Sequence, residues 1–387
     1  MKILISAGEA SGDLYAAALT RSLRARVPEA DFFGCTGHRL REEGVRTAVD
    51  SAQLNVVGLV EVIQHIPRIK AEFNKLVAAA RREKPDLAIL TDAPDFHLRL
   101  APKLRAMGIP VVYLIAPQVW AWRKGRLPLI RRAINHLLCI FPFEEDFFRN
   151  HGVEATYIGH PLTRLVTPKL SRDEFFRRHQ LNPDQPLLTL LPGSRPGEIV
   201  RHMPALASAV RMLRRDGGRP LSMLLATPKG AAARLNLTSF AEPLRAASIQ
   251  HIEGETWDAI AHADAALAAS GTVTIEAALL GTPLAAFYKV SPWSWWMGRF
   301  LVDVPFYSMV NLVAGRKVIP ELIQEACTGE RLAVEARRLL DDPAARLAVQ
   351  MGLQEVASKL ASGEDPMEKA AGIVLQVVAK EREHVRS

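Results

Sequence analysis

Short apolar, β-branched runs alternate with longer stretches of helical periodicity along almost the whole chain. Runs at 2–6, 31–35, 87–91, 111–115, 137–141 and 155–158 predict one series of strands, and runs at 187–191, 221–226, 249–253, 264–268 and 284–287 predict a second. Amphipathic stretches at 14–26, 68–82 and 204–214 predict helices between them. Continuous apolar strands separated by helices belong to parallel sheets covered on both faces. The fold class is therefore α/β, with two Rossmann-like, doubly wound parallel-sheet domains. Residues 161–186 are charged and rich in turn formers, and read as the connection. Three helical patterns follow the last strand and end with 367–386.

Composition narrows the picture. A chain of 387 residues with 49% hydrophobic and 23% charged residues suits two soluble domains, each with its own core. The net charge of +8 favours anionic lipids or anionic substrates without demanding nucleic acid. Its basic clusters, among them Arg81-Arg82, Arg123-Lys124 with Arg126, and Arg131-Arg132, read as solvated faces. Three cysteines, Cys35, Cys139 and Cys327, show no CxxC spacing and read as buried thiols in a reducing compartment. The apolar run after Met1 is too short for a signal peptide. The most apolar long window, 263–288, is broken by Gly271, Gly281 and Pro283. The reading is a cytosolic protein with at most peripheral membrane contact.

In open α/β sheets, ligands sit beyond the carboxyl ends of strands. The unusual polar and glycine residues fall at those places: Gly8 to Asp13 after the first strand, Asp92 to Asp95 after the third, Pro117-Gln118 after the fourth, and Gly193-Ser194-Arg195 and Ser270-Gly271-Thr272 in the second half. They predict two domains whose strand ends face a shared cleft. Gly8, Glu9 and Ser11 read as a turn bringing backbone close to a ligand, or as a tight turn capped by Ser11 or Asp13. The pattern is not G-x-G-x-x-G, and Cys35-Thr36-Gly37 offers no acid for an adenosine ribose, which disfavours a dehydrogenase.

Asp92 directly follows an apolar strand and is the candidate general base for a transfer to a hydroxyl; Asp95 reads as a loop former. Arg195, with Gly193 and Ser194, either braces a diphosphate or pairs with Glu198. Backbone amides at Ser270, Gly271 and Thr272 open a helix and suit a diphosphate, with Glu276 one turn on for a ribose diol. An ordinary helix start is the alternative. The histidines, His160 and His202 included, lack metal-ligand spacing, and no DxD pair is placed to hold a metal. That favours protein donors over Mg²⁺ at the leaving diphosphate and calls for no cofactor.

Two apolar features stay open between core and lipid contact. One is the helical stripe from Val60 through Val62, Ile63, Ile66, Ile69, Phe73 and Leu76, interleaved with Arg68, Lys70 and Lys75. The other gathers Trp293, Trp295, Trp296, Met297 and Phe300 beside Lys289 and Arg299. Trp120 and Trp122 either line a sugar pocket or pack.

Read together, GEASGD (Gly8–Asp13), DAPDF (Asp92–Phe96), PQVWAW (Pro117–Trp122), LCIFPFE (Leu138–Glu144), IGH (Ile158–His160), LPGSR (Leu191–Arg195), ASGTVTIE (Ala269–Glu276) and MVNLVAGR (Met309–Arg316) closely resemble the lipid-A-disaccharide synthase family, inverting glycosyltransferases of GT-B fold. The resemblance implies a donor, UDP-2,3-diacylglucosamine, and an acceptor, 2,3-diacylglucosamine 1-phosphate. It implies a β-1,6-linked disaccharide phosphate as product, with UDP released. Carried over by motif, Asp92 is the base, and Arg195 and Asn311 are implicated in activity. Ser270, Gly271, Thr272 and Glu276 hold UDP, and Val60, Val62, Ile63, Ile66 and Ile69 match the membrane-contact region. It implies an acceptor and membrane-contact domain over 1–165, a donor domain over 166–350, and helices over 351–387 returning to the first. It also implies peripheral attachment to the cytoplasmic face of the bacterial inner membrane, and leaves homo-oligomerisation open. Ser308-Met309-Val310-Asn311 departs from the SLPN of many relatives by losing the proline, and Val273-Thr274-Ile275 replaces small residues. The rival readings are another GT-B enzyme acting on UDP-N-acetylglucosamine, such as a cell-wall transferase or a 2-epimerase, and a non-catalytic nucleotide or lipid carrier.

Overall fold

The computed structural model describes residues 1–54, 59–231, 249–291, 295–296 and 304–386, with the side chains of 59–66 and 384–386 left outside that description. The chain divides into two compact units. Unit 1 holds Met1–Pro161 and Leu360–Ser387, and unit 2 holds Leu162–Lys359.

Unit 1 is built on seven parallel strands: β1 (Lys2–Ala7), β2 (Asp31–Thr36), β3 (Arg46–Asp50), β4 (Leu87–Thr91), β5 (Val111–Leu114), β6 (His136–Cys139) and β7 (Ala155–Tyr157). Their order is β3-β2-β1-β4-β5-β6-β7. Strand order reverses between β1 and β4, where helices on opposite faces leave the sheet and a crevice opens. Register sets Ala7 beside Thr91 there, so the next residues, Gly8 and Asp92, emerge side by side. Every residue of β4 is buried, as its unbroken apolar run requires.

Unit 2 repeats the plan with β8 (Leu187–Leu191), β9 (Ser222–Thr227), β10 (Gln250–Glu253), β11 (Ala265–Ala269), β12 (Leu284–Tyr288) and β13 (Glu321–Ile323), ordered β10-β9-β8-β11-β12-β13. Its switch point lies between β8 and β11, with Leu191 beside Ala268. The α/β class with two doubly wound parallel sheets is as the pattern predicts. Two strands escaped it. β3 is an edge strand with exposed Arg46 and Thr47, and β13 spans three residues at the other sheet's edge. Neither buries enough apolar surface to mark itself.

Helices also start earlier than periodicity suggested. The first runs Ala10–Arg26, and another runs Pro196–Arg215. The last helix, Pro366–Arg386, lies against Ala10–Arg26 in unit 1. Met367, Ala370, Ala371, Val374 and Val378 are buried along it. Polar ties flank that stripe: Arg26 to Glu368 at 2.9 Å, Asn135 Nδ2 to Glu381 at 2.6 Å, and Arg382 to Asp86 at 2.8 Å.

Candidate active site

At the switch point of unit 1, Asp92 leaves β4 on left-handed backbone, φ 52°, and Ala93 follows at 35°. Non-glycine residues occupy that region only when their surroundings hold them there. Here the holding groups are visible. Tyr113, on β5, donates its hydroxyl to the Asp92 carbonyl at 2.5 Å, and His97 Nδ1 donates to the same oxygen at 3.0 Å. Because a carbonyl only accepts, the His97 proton sits on Nδ1. Nε2 therefore accepts from the Ser6 hydroxyl at 2.7 Å. Burial pushes His97 down to about 4. It is neutral near pH 7, and its 3.9 Å approach to the Asp92 carboxylate is no ion pair.

That carboxylate is thereby aimed at the start of helix Ala10–Arg26. Oδ1 accepts from Gly8 N at 2.7 Å and Oδ2 from Glu9 N at 2.9 Å. A Cβ on Gly12 would lie 1.6 Å from Oδ2, and one on Gly8 would lie 2.6 Å from Ala93 Cβ. The glycines of GEASGD thus admit a side chain of this protein, where the sequence suggested a ligand. Ser11 and Asp13 fall inside the helix and cap nothing in it. Asp13 instead accepts amides of Gly37, Arg39 and Leu40, and so caps the helix His38–Glu42. Ser11 is half-buried in the first turn.

The Asp92 side chain is 13% exposed. Loss of water raises its pKa well above the usual carboxylate range, opposed by the two amides and helped by Glu9 and Asp13. Asp95, beside it, binds Arg123 and Arg126. Farther along the sheet edge, Trp120 donates to Glu144 at 3.0 Å, and Ile140 N and Phe141 N donate to the same carboxyl at 3.1 Å. Burial lifts Glu144 to about 7 despite those donors. Trp120 therefore packs within the aromatic cluster of Phe143, Phe141 and His160.

At the switch point of unit 2, the loop after β8 is stapled by Glu198. Its carboxylate accepts from Ser194 N at 3.4 Å, Arg195 N at 3.3 Å, Arg195 Nη1 at 3.1 Å and the Tyr288 hydroxyl at 3.1 Å. Gly193, at φ 115°, leaves room for that carboxylate. His202 ties the loop to β12: Nδ1 donates to Pro192 O at 2.7 Å and Nε2 accepts from Lys289 N at 3.0 Å. Both nitrogens are committed in the neutral form.

Across the crevice of this unit, Ser270 donates to Tyr307 O at 2.9 Å. Gly271 and Thr272 are exposed at the start of helix Thr272–Leu280. Burial raises Glu276 to about 7, opposed by a hydrogen bond from Trp257. Asn311 is fully buried. Its Nδ2 donates to Ile319 O at 3.0 Å and Glu321 Oε1 at 2.8 Å, while Oδ1 accepts from Val318 N and Ile319 N. Two donors and two acceptors are all an amide has, so the Asn311 amide has no bond left for a further partner. Glu321 passes its hold to Tyr307 N and Ser308 N, and so to the carbonyl that receives Ser270.

The structure brings Asp92 together with Gly8 and Glu9 in unit 1, and Gly193, Ser194 and Arg195 onto one loop in unit 2. Val60, Val62, Ile63 and Ile66 lie within the helix Leu59–Glu83, with side chains outside the described residues, and Ile69 packs partly buried against the unit 1 core. Trp293, Met297, Arg299 and Phe300 lie outside the described residues. Trp296 is 54% exposed, and Trp295 faces Tyr307 with ring centroids 6.0 Å apart. Sequence reasoning missed Ser6, His97, Tyr113 and Glu321. The one signal was a lone hydroxyl or acid set in an apolar run, as in Val111-Val112-Tyr113-Leu114.

The chain matches the family model described as lipid-A-disaccharide synthetase over residues 3–373. It is 57% identical over 384 residues to the lipid-A-disaccharide synthase of Solibacter usitatus, covering 99% of both chains. It is 43% identical over 396 residues to that of Koribacter versatilis, covering 98% of this chain and 99% of that one. Among solved structures it resembles a UDP-GlcNAc 2-epimerase from Neisseria meningitidis bound to UDP-GlcNAc, with TM-score 0.63, 13% identity, and 98% and 100% coverage. A glycosyltransferase from Rickettsia africae aligns with TM-score 0.59, 11% identity, and 97% and 98% coverage. At those identities the two structures speak for the fold alone.

Proposed function

The chain belongs to the lipid-A-disaccharide synthetase family, and from that membership we propose how its residues divide the reaction. It is a glycosyltransferase of lipid A biosynthesis. It joins UDP-2,3-diacylglucosamine to 2,3-diacylglucosamine 1-phosphate, forming the β-1,6-linked disaccharide 1-phosphate and releasing UDP. Asp92 removes the proton from the acceptor 6-hydroxyl as that oxygen attacks the anomeric carbon on the face opposite UDP, which inverts the centre. The amides of Gly271 and Thr272, at a helix start, and the guanidinium of Arg195 stabilise the departing diphosphate. Glu276 accepts from the ribose, and Ser270 and Asn311 keep that end of unit 2 in place. Both lipids belong to a bilayer, and the apolar stripe from Val60 to Ile69 rests on its surface. Among the described residues no helix is long and apolar enough to cross it.

The observation that carries the base assignment is the seat of Asp92: a carboxylate at a β1/β4 switch point, nearly dry, bonded to Gly8 N and Glu9 N and still 13% exposed. Its raised pKa makes it a stronger proton acceptor once ionised. Protonated Asp92 cannot act, so kcat/KM falls as pH drops through that raised pKa, above the ordinary carboxylate range. UDP release by the purified protein with both lipids, followed by mass spectrometry, tests the reading. Asp92→Asn is expected to lower turnover by roughly 10²–10⁴-fold with donor binding kept. Normal turnover in that variant excludes Asp92 as base, and UDP formed without acceptor points to a hydrolase or epimerase.

A further inference from the structure

From Phe96 to Phe143 the chain carries eight lysines and arginines and neither aspartate nor glutamate. Two of those arginines meet at Asp95, in the first turn of helix Pro94–Arg105 and three positions past Asp92. Arg123 Nη1 donates to both of its oxygens, at 2.8 and 3.1 Å, and Arg126 Nη2 donates to Oδ1. Arg123 is further pinned by the Trp122 ring, whose centroid lies 4.1 Å from the guanidinium carbon. One carboxylate against two guanidinium groups leaves net positive charge. Arg126 is 22% exposed and Arg123 41%, so both side chains are partly open to solvent.

Through Asp95, this pair is tied to the turn that carries Asp92. Tyr113, whose hydroxyl bonds the Asp92 carbonyl, feels the charges of both Asp92 and Arg126. We infer that Arg123 and Arg126 form the subsite for the phosphate monoester of the acceptor, with Asp95 holding the two guanidinium groups in their receiving geometry. The inference rests on the glycosyl-transfer reading. An acceptor whose 6-hydroxyl meets Asp92 carries its 1-phosphate on the far side of the same sugar ring. Planar guanidinium forks match phosphate oxygens two at a time, and prealigned ones lose little freedom on binding. A donor lacking a free monoester gains nothing here, so the subsite also tells acceptor from donor.

The test compares two acceptors, 2,3-diacylglucosamine 1-phosphate and the same lipid without phosphate, in the parent, Arg123→Gln and Arg126→Gln proteins. The parent is expected to prefer the phosphorylated lipid in kcat/KM by roughly 10- to 100-fold. Each variant is expected to lose most of that preference through a higher acceptor KM, with donor KM unchanged, and Arg126→Lys to recover part of it. A parent that uses both acceptors equally overturns the subsite without any variant, and so does a preference that survives both substitutions. Absence of UDP release with either lipid in the parent sinks the glycosyl-transfer reading instead.

Discussion

Gly12 shows how little freedom the Asp92 carboxylate has. Its missing side chain is replaced in space by Asp92 Oδ2, 1.6 Å from where a Cβ would stand. Gly12→Ala must therefore expel the carboxylate from the Gly8 and Glu9 amides or shift the helix. Expelling it leaves two amides without their acceptor, at a cost of about 1–3 kcal/mol each, and removes the proposed base from its seat. We expect turnover to fall at least as far as with Asp92→Asn and the midpoint of thermal unfolding to drop; a fully active Gly12→Ala protein excludes this account. At this scale the sequence was half legible. An acid right after an apolar strand announced Asp92, and the glycines announced a close approach. What they approached lies 84 positions away from Gly8, and spacing along a chain carries no such pairing. Tyr113 and His97 were hidden for a similar reason, since both are fully buried and look like core.

Segments, too, are held by single buried groups. Ser308 caps the helix Met309–Ala314, and the return to β13 has no long strand to anchor it. Asn311 supplies the anchor with four bonds, and Glu321 extends it to Tyr307 and Ser308. Asn311→Ala strands Val318 N, Ile319 N and Ile319 O. Allowing about 1–3 kcal/mol for each unpaired buried group predicts a loss of several kcal/mol. Because Tyr307 O receives Ser270, the KM for the UDP-sugar is expected to rise along with the loss of thermal stability. A stable variant with unchanged donor KM would refute the anchor. Long buried strands were legible here because their apolar runs are unbroken, as in Leu87–Thr91. β3 and β13 were not, since edge strands interleave polar residues and owe their pairing to neighbours that sequence does not reveal.

For the molecule as a whole, the decisive arrangement is that unit 1 is made from both ends of the chain. Spacing of Met367, Ala370, Ala371, Val374 and Val378 announces an amphipathic helix but not its partner. Removing residues 362–387 exposes the side of Ala10–Arg26 that this helix covers and breaks the Arg26, Asp86 and Asn135 ties. Each large apolar side chain withdrawn from burial costs about 1.5–3 kcal/mol. The truncated protein is expected to aggregate or to lose protease resistance first within unit 1; a soluble, protease-resistant truncation would show the helix to be dispensable. The same arrangement dictates an order of events at the ribosome. Residues 1–161 emerge early, yet the helix that covers Ala10–Arg26 is made only after the whole of unit 2. The later-made unit can finish folding while the earlier one still waits, its first helix partly bare. During that interval the nascent chain offers chaperones an apolar surface that the finished enzyme never displays.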